Sequence, residues 1–193
     1  MPRRRATPHA AIGRLTMEDL DEPGMQFKEI CAFYGAAMHM AQVLEHGIVN
    51  AIFFLEFLPT RNGEWSDEEY EDFFAGNFSK TFGRLVKSLK KVTAVPSELE
   101  TLIKESNDRR NYLAHTFFRE KTDILYGGGY QEIIDSLNED IDKFTKTDQI
   151  LSAFLEPIWN KFGWTEDAIE AAAEKYKEEL GAKYRSKNNE PAN

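Results

Sequence analysis

The stretch SNDRRNYLAHTFFRE, residues 106–120, sets Arg109, Arg110, Asn111 and His115 among apolar residues. An imidazole exchanges a proton near neutral pH, which suits it to general acid–base work. A guanidinium is a planar, permanently charged fork that pairs with two phosphate oxygens at once. Together they supply a proton carrier and a fixed cation for an anionic group such as a phosphate. Asn111 could hold the imidazole or touch the phosphate, and Asp108 or Arg109 could assist.

These residues must be positioned by a helix. At about 100° per residue, one line runs through Leu99, Leu102, Ile103, Ser106, Arg110, Leu113 and Phe117. Arg110 therefore falls on the line that should face the core. A second line carries Lys104, Asp108, Asn111 and His115, and Asn111 and His115, four apart, share a face. Arg110 and His115 are roughly 140° apart on a straight helix. They converge only if the arginine reaches around, the helix ends near the histidine, or a second chain brings another copy. Bland readings stand beside this one. Arg110 could snorkel or pair with an acid on an earlier helix such as Glu45. His115 could cap the helix C-terminus, where the dipole favours an imidazolium.

The supporting elements all read as helix. From Met25 to Leu58, apolar residues recur every three or four positions: Phe27, Cys31, Tyr34, Met38, Ala41, Leu44, Ile48, Ile52, Leu55, Leu58. This is one helix on the order of 50 Å long. Extra apolar residues, among them Val49, Phe53, Phe54 and Phe57, call for burial of a second face, against another chain or more of this one. Gly35 and Gly47 allow close packing or a bend. PTRNGEW, 59–65, reads as a loop, and Ser66 before Asp67-Glu68-Glu69 reads as an N-cap with acids in the first turn. A short helix to about Phe74 is expected to break at Gly76-Asn77. The next, from about Ser79 to Val92, turns Phe82, Leu85, Val86 and Leu89 inward. Its Lys80, Arg84, Lys87, Lys90 and Lys91 form a basic face, either a solvated surface or a hold on a phosphate backbone, with Arg84 and Lys87 as candidate contacts. The motif helix opens at Ser97 and runs to about Phe118 or Arg119. Gly127-Gly128-Gly129 reads as a flexible turn, since no GxxxxGK[ST] pattern accompanies it. Separate helices follow at about Tyr130–Phe144 and Asp148–Phe162, and a last one from Thr165 to about Tyr184.

The fold class is thus all-α, an up-and-down bundle with a long first helix. The expected organisation is a flexible segment 1–24, one helical domain 25–184 and a disordered tail 185–193. The basic start, MPRRRATPHAAIGRL, reads as a frayed tail or a phosphate-binding arm; it lacks the apolar core of a secretory signal. Of 193 residues, 41% are hydrophobic and 12% aromatic, enough for a proper core. The net charge of −9 argues against a whole-surface grip on nucleic acid, so any RNA affinity must be local. Cys31 is alone, which excludes an internal disulfide and points to a reducing, cytoplasmic setting. No run of about 18 apolar residues is present, so no membrane span is expected. His39 and His46 share a face with Gln42 and Asn50, but no HExxH or carboxylate cluster accompanies them. No metal or cofactor is expected. Trp159, Trp164 and Phe162 read as core or dimer contacts before a base-stacking platform.

The R-N-Y-L-A-H stretch, Arg110 to His115, resembles the Arg-x4–6-His motif of HEPN domains (higher eukaryotes and prokaryotes nucleotide-binding). In that family a polar residue commonly follows the arginine, as Asn111 does here. The resemblance covers roughly residues 25–160 in architecture and 108–118 in motif. It implies a metal-independent endoribonuclease of toxin–antitoxin or phage-defence type, leaving 2′,3′-cyclic phosphate and 5′-hydroxyl ends. It implies a homodimer whose two motifs face each other as one composite site, with catalytic Arg110, Asn111 and His115, and RNA contacts from Arg109, Asp108, Arg84 and Lys87. An antitoxin such as a minimal nucleotidyltransferase is a further implied partner. The alternatives are a non-catalytic HEPN-like domain that binds nucleotide, RNA or a protein, and a structural helical protein in which Arg110 and His115 make only polar contacts.

Overall fold

A computed structural model describes residues 21–61 and 64–188, all-helical with no strand among them. The first helix, α1 (Glu22–Ile52), is capped by Asp21, whose carboxylate accepts the Gly24 N–H at 3.0 Å, with Pro23 in the first turn. Asp21 to Gly24 are thus part of the helix start; the rest of the expected flexible segment, with its basic residues, lies outside the described residues. The chain continues without a break through a π-helical turn, Phe53–Phe57, into α2 (Leu58–Arg61). Pro59, expected to open a loop, sits inside this last turn. Then come α3 (Asp67–Phe78), α4 (Phe82–Val92), α5 (Ser97–His115), α6 (Phe117–Tyr126), α7 (Tyr130–Lys161) and α8 (Glu166–Asn188).

The core is the seam between α1 and α7. On α1, Ala37, Ala41, Leu44, Ile48 and Ala51 are fully buried at steps of three and four. They meet Ile133, Leu137, Phe144, Leu151 and Leu155 of α7 in one cluster, closed by Phe82, Leu85 and Leu89 of α4 and by Leu99, Ile103 and Leu113 of α5. The small residues let the two long helices approach closely. At Gly47 there is no room for a methyl: it would lie 2.7 Å from Asp148 Oδ1 and 3.3 Å from Leu151 Cδ2. Gly35 has nothing within 4 Å, so only the second of the two glycines serves packing.

The second apolar face of α1 is buried by the chain itself. The π turn adds a residue to the helical repeat, which turns Phe53, Phe54, Phe57 and Leu58 together into a separate aromatic cluster. Phe57 meets Phe73 of α3 at 4.9 Å between ring centroids, and Phe54 meets Trp164 edge-on at 5.5 Å. Trp159 and Phe162 also pack on Phe54. The excess apolar surface of α1 therefore has an intramolecular explanation and gives no argument for a dimer.

Several boundaries differ from those the sequence suggests. Gly76-Asn77 lies inside α3, which ends one residue later at Phe78. The Asn77 amide donates to the Phe73 carbonyl at 2.8 Å and its oxygen accepts from Lys80 Nζ, just past the helix end, at 2.8 Å. The two expected helices at 130–144 and 148–162 are one. Thr145 and Thr147 donate their hydroxyls to the Ile141 and Lys143 carbonyls of the preceding turn, which lets polar residues pass mid-helix. At the other end, α8 outlasts Tyr184 and reaches Asn188; of the expected tail, 189–193 lie outside the described residues. The Ser66 capping box does form, with the Glu69 N–H donating to Ser66 Oγ at 3.2 Å and the Ser66 N–H to Glu69 Oε2 at 3.0 Å. The stretch Glu22–Arg61 is long and apolar enough to cross a membrane by length and composition, unlike the sequence expectation. More than half of its most apolar window, 56%, is buried inside the bundle.

Asp148, pressed against Gly47, makes no hydrogen bond or ion pair among the described residues, and burial pushes its carboxyl above the usual range. A folded-state value above the unfolded one means that the folded chain holds this proton more tightly. Stability is then lost as pH rises from about 4, the unfolded value, through the folded value. Asp148→Asn removes that loss. Its urea unfolding midpoint is expected to exceed the parent's near pH 7 and to match it near pH 3; a gain of equal size at both would show that the charge is not the cause.

Candidate functional site

The motif sits on the last three turns of α5, which is held between α1, α4 and α7. Leu99, Ile103, Ser106 and Leu113 are its buried line, as the helical spacing requires. Ser106 is tolerated there because its hydroxyl meets that of Thr147 at 3.1 Å. Beyond Ser106 the helix places two arginines in succession, and each takes a different partner.

Arg109 reaches α7. Its Nε and Nη2 donate to the two oxygens of Asp140 at 2.6 and 2.7 Å, a bidentate fork on a carboxylate whose side chain is only 3% exposed. The guanidinium also lies over the Tyr112 ring, 4.6 Å from its centroid. The Asp140 hydrogen bonds hold Arg109 above its ordinary value, against a desolvation that pulls the other way. Arg110 reaches α1, where its Nε donates to Glu45 Oε1 at 3.1 Å. Its Nη1 approaches Asn111 Oδ1 at 3.5 Å. The pairing with Glu45 is the one the helical spacing allowed. Both arginines therefore tie α5 to a neighbour, Arg109 through the more enclosed carboxylate.

His115 is the last residue of α5 and is exposed. The helix stops there, short of the expected Phe118 or Arg119. Thr116, at φ −131° and ψ −32°, leaves the helical track, and α6 restarts at Phe117. Phe117 is fully buried against Tyr34 and Tyr112, so the turn re-aims the chain into the core. The Leu113 carbonyl, one of those an ending helix leaves without an internal donor, accepts the Tyr34 hydroxyl at 3.2 Å. Asn111, one turn before His115, is exposed on the same face. Arg110 turns inward instead, and within one chain its hydrogen bonds go to Glu45 and Asn111, not to His115.

The remaining candidates scatter. Asp108 is exposed on the same side of α5 as Asn111 and His115, two turns before the histidine, along a shallow cleft with Ser97, Glu100, Thr101, Lys104 and Glu105. Arg84 and Lys87 are exposed on α4, which runs antiparallel to α5: Lys90 pairs with Glu100, and Gly83 lies beside Asn107. Arg84 is thus level with Asn107, one turn before Asn111, and Lys87 lies a turn further from the motif. His46 stacks on Phe78 at 4.4 Å, while its neighbour Glu45 meets the motif through Arg110. Among the described residues no group of three or more histidine, cysteine or acidic side chains is arranged to hold a metal.

Sequence reasoning missed Asp140 and Tyr34. Asp140 carried a readable signal: it is three residues after Leu137 and four before Phe144, an acid on the apolar line of α7 just as Arg110 is a base on that of α5. Tyr34 was seen only as an apolar position, and its hydroxyl bond to a backbone carbonyl leaves no trace in spacing. No family model, no curated protein and no solved structure matches the chain.

Removing Asp140 leaves the Arg109 guanidinium without its counter-ion. Asp140→Ala is expected to cost about 2 kcal/mol in urea unfolding, below the ~3–5 kcal/mol of a fully enclosed pair because a third of the arginine side chain is exposed. Glu45→Ala should cost about 1 kcal/mol or less. The reverse order would make Arg110 the main strut of α5.

Proposed function

We propose that the chain is a metal-independent endoribonuclease whose site is built from Arg110, Asn111 and His115 and completed by a second copy. The observation that carries this reading is the end of α5. An exposed imidazole stands at the helix terminus, an exposed asparagine lies one turn before it on the same face, and a guanidinium held by an acid is adjacent. In this reading His115 exchanges the proton of the 2′-hydroxyl or of the leaving 5′-oxygen. Arg110 leaves Glu45 for two phosphate oxygens, a swap of one anion for another that keeps the guanidinium paired throughout. Asn111 positions the imidazole or the phosphate. Arg110 and His115 face differently within one helix, so the second copy supplies the complementary group. Of the two α4 residues proposed to guide RNA, Arg84, level with Asn107 one turn before Asn111, is nearer the motif than Lys87. The products are a 2′,3′-cyclic phosphate and a 5′-hydroxyl. The setting this chemistry fits is a cytoplasmic toxin–antitoxin or phage-defence system, with an antitoxin such as a minimal nucleotidyltransferase as partner.

A second reading is favoured by the Glu45 pairing itself. An arginine already neutralised by a carboxylate on the first helix suits a non-catalytic domain that binds nucleotide, RNA or protein.

Purified protein incubated with total RNA and transfer RNA in excess chelator decides between them. Cleavage is expected from the parent chain, with a loss of at least ~10²-fold in His115→Ala, the usual worth of a general acid–base group. Intact RNA with a folded parent chain would favour the second reading. Equal cleavage by both chains would remove His115 from the site.

A further inference from the structure

Helix α8 stands apart from the bundle. Every residue from Lys161 to Glu179 is exposed, and among the α8 residues whose burial is described none is buried. Most helical stability in a protein comes from packing an amphipathic face rather than from propensity, and the exposed run of α8 has no such packing. Helix-favouring Ala171-Ala172-Ala173 and the local pairs Glu174–Lys177 and Lys175–Glu179 support it, but only by a few tenths of a kcal/mol per pair. Its apolar residues are not scattered. Ile169, Ala173, Tyr176, Leu180 and Tyr184 follow one another at steps of four, three, four and four, a single stripe along the helix. Ile169, Tyr176 and Tyr184 are 39%, 62% and 62% exposed, so the stripe is uncovered.

The charge along the helix says what covers it. From Glu166 to Glu174 there are four acids and no base; from Lys175 to Asn188 there are five bases and two acids. A second α8 laid antiparallel sets the acidic half of each helix against the basic half of the other, whereas a parallel pair sets like against like. The antiparallel register also matches the stripe to itself: Ile169 falls opposite Tyr184, Ala173 opposite Leu180, and the two Tyr176 rings meet at the centre. At its open end Ile169 borders a groove of about 520 Å³ between α7 and α8, lined also by Trp159 and Trp164. The register brings Tyr184 of the second copy to that groove. Trp159 belongs to the same wall, and its Nε1 is buried with no hydrogen-bond partner among the described residues.

We propose that two copies of the chain associate through an antiparallel pair of α8 helices, with the Ile169–Ala173–Tyr176–Leu180–Tyr184 stripe as the seam. The pairing goes beyond the nuclease reading: it concerns α8 and not the α5 motif, and its test reads mass and cross-links, so either can fail alone.

The test is sedimentation of the full chain over a range of concentrations, in low and high salt. The parent should pass from one chain mass to two as concentration rises, and dimerisation should weaken in high salt. Tyr176→Glu with Leu180→Glu, both outside the core, should need a markedly higher concentration than the parent to reach two chain masses, any association left being that of the α5 site. Orientation is read in a Cys31→Ser background. A mixture of Ala173→Cys and Leu180→Cys chains should cross-link to each other, and Ala173→Cys alone should not. A parent that remains a monomer, a dimer indifferent to the seam substitutions, or efficient Ala173→Cys self-cross-linking would overturn the proposal. So would a monomer whose α8 binds vesicles of anionic phospholipid, which would assign the stripe to a membrane surface.

Discussion

A carboxylate with 3% of its side chain exposed is costly inside a helical bundle unless it is paired, and Asp140 is paired with Arg109. The rest of the motif's geometry depends on this pair. It locks α5 against α7 at the turn where the motif begins. The neighbouring arginine, about 100° further around the helix, is then left for α1. Because Asp140 takes both oxygens' worth of hydrogen bonding from one fork, Arg109 is a strut in this fold. Arg110, on a longer bond to a more accessible acid, is the arginine better placed to exchange its partner.

The end of α5 follows from the same anchoring. With the helix held at Ser106, Arg109 and Arg110, the chain must still bury Phe117. It does so by breaking at Thr116 and restarting, which leaves His115 at the tip of a helix rather than on its flank. The Tyr34 hydroxyl completes the break by satisfying the Leu113 carbonyl. An exposed histidine at a well-supported helix end is thus a consequence of core packing around it. Any chemistry it performs would use a position that the fold has already stabilised for other reasons.

Much of this was legible in the residues. The long stripe on α1, the Ser66 cap and the buried line of α5 follow from spacing, because each rests on contacts three or four residues apart; Glu45 was one of two readings of Arg110, and only the packing of α1 on α5 selects it. The failures share a different cause. Asn77 and Thr147 look like helix breakers in isolation, but each satisfies its side chain on the preceding turn of its own helix. That choice is settled by tertiary packing on the other face. The aromatic cluster under Phe53, Phe54 and Phe57 depends on a π turn that no periodicity announces, so burial of that face by the chain itself could not be told from burial by a second copy. Asp140 was readable within the expected Tyr130–Phe144 segment, on the apolar line between Leu137 and Phe144.

The central claim is that two adjacent arginines have been divided between structure and recognition. The most direct measurement is a proton–nitrogen spectrum of the arginine Nε–H groups, assigned by Arg109→Lys and Arg110→Lys, while a short 2′-O-methyl RNA that cannot be cleaved is added. The Arg110 resonance should move on binding as Glu45 is exchanged for phosphate, and the Arg109 resonance should stay where Asp140 holds it. A moving Arg109 beside a stationary Arg110, or two stationary resonances with the RNA bound, would contradict the division.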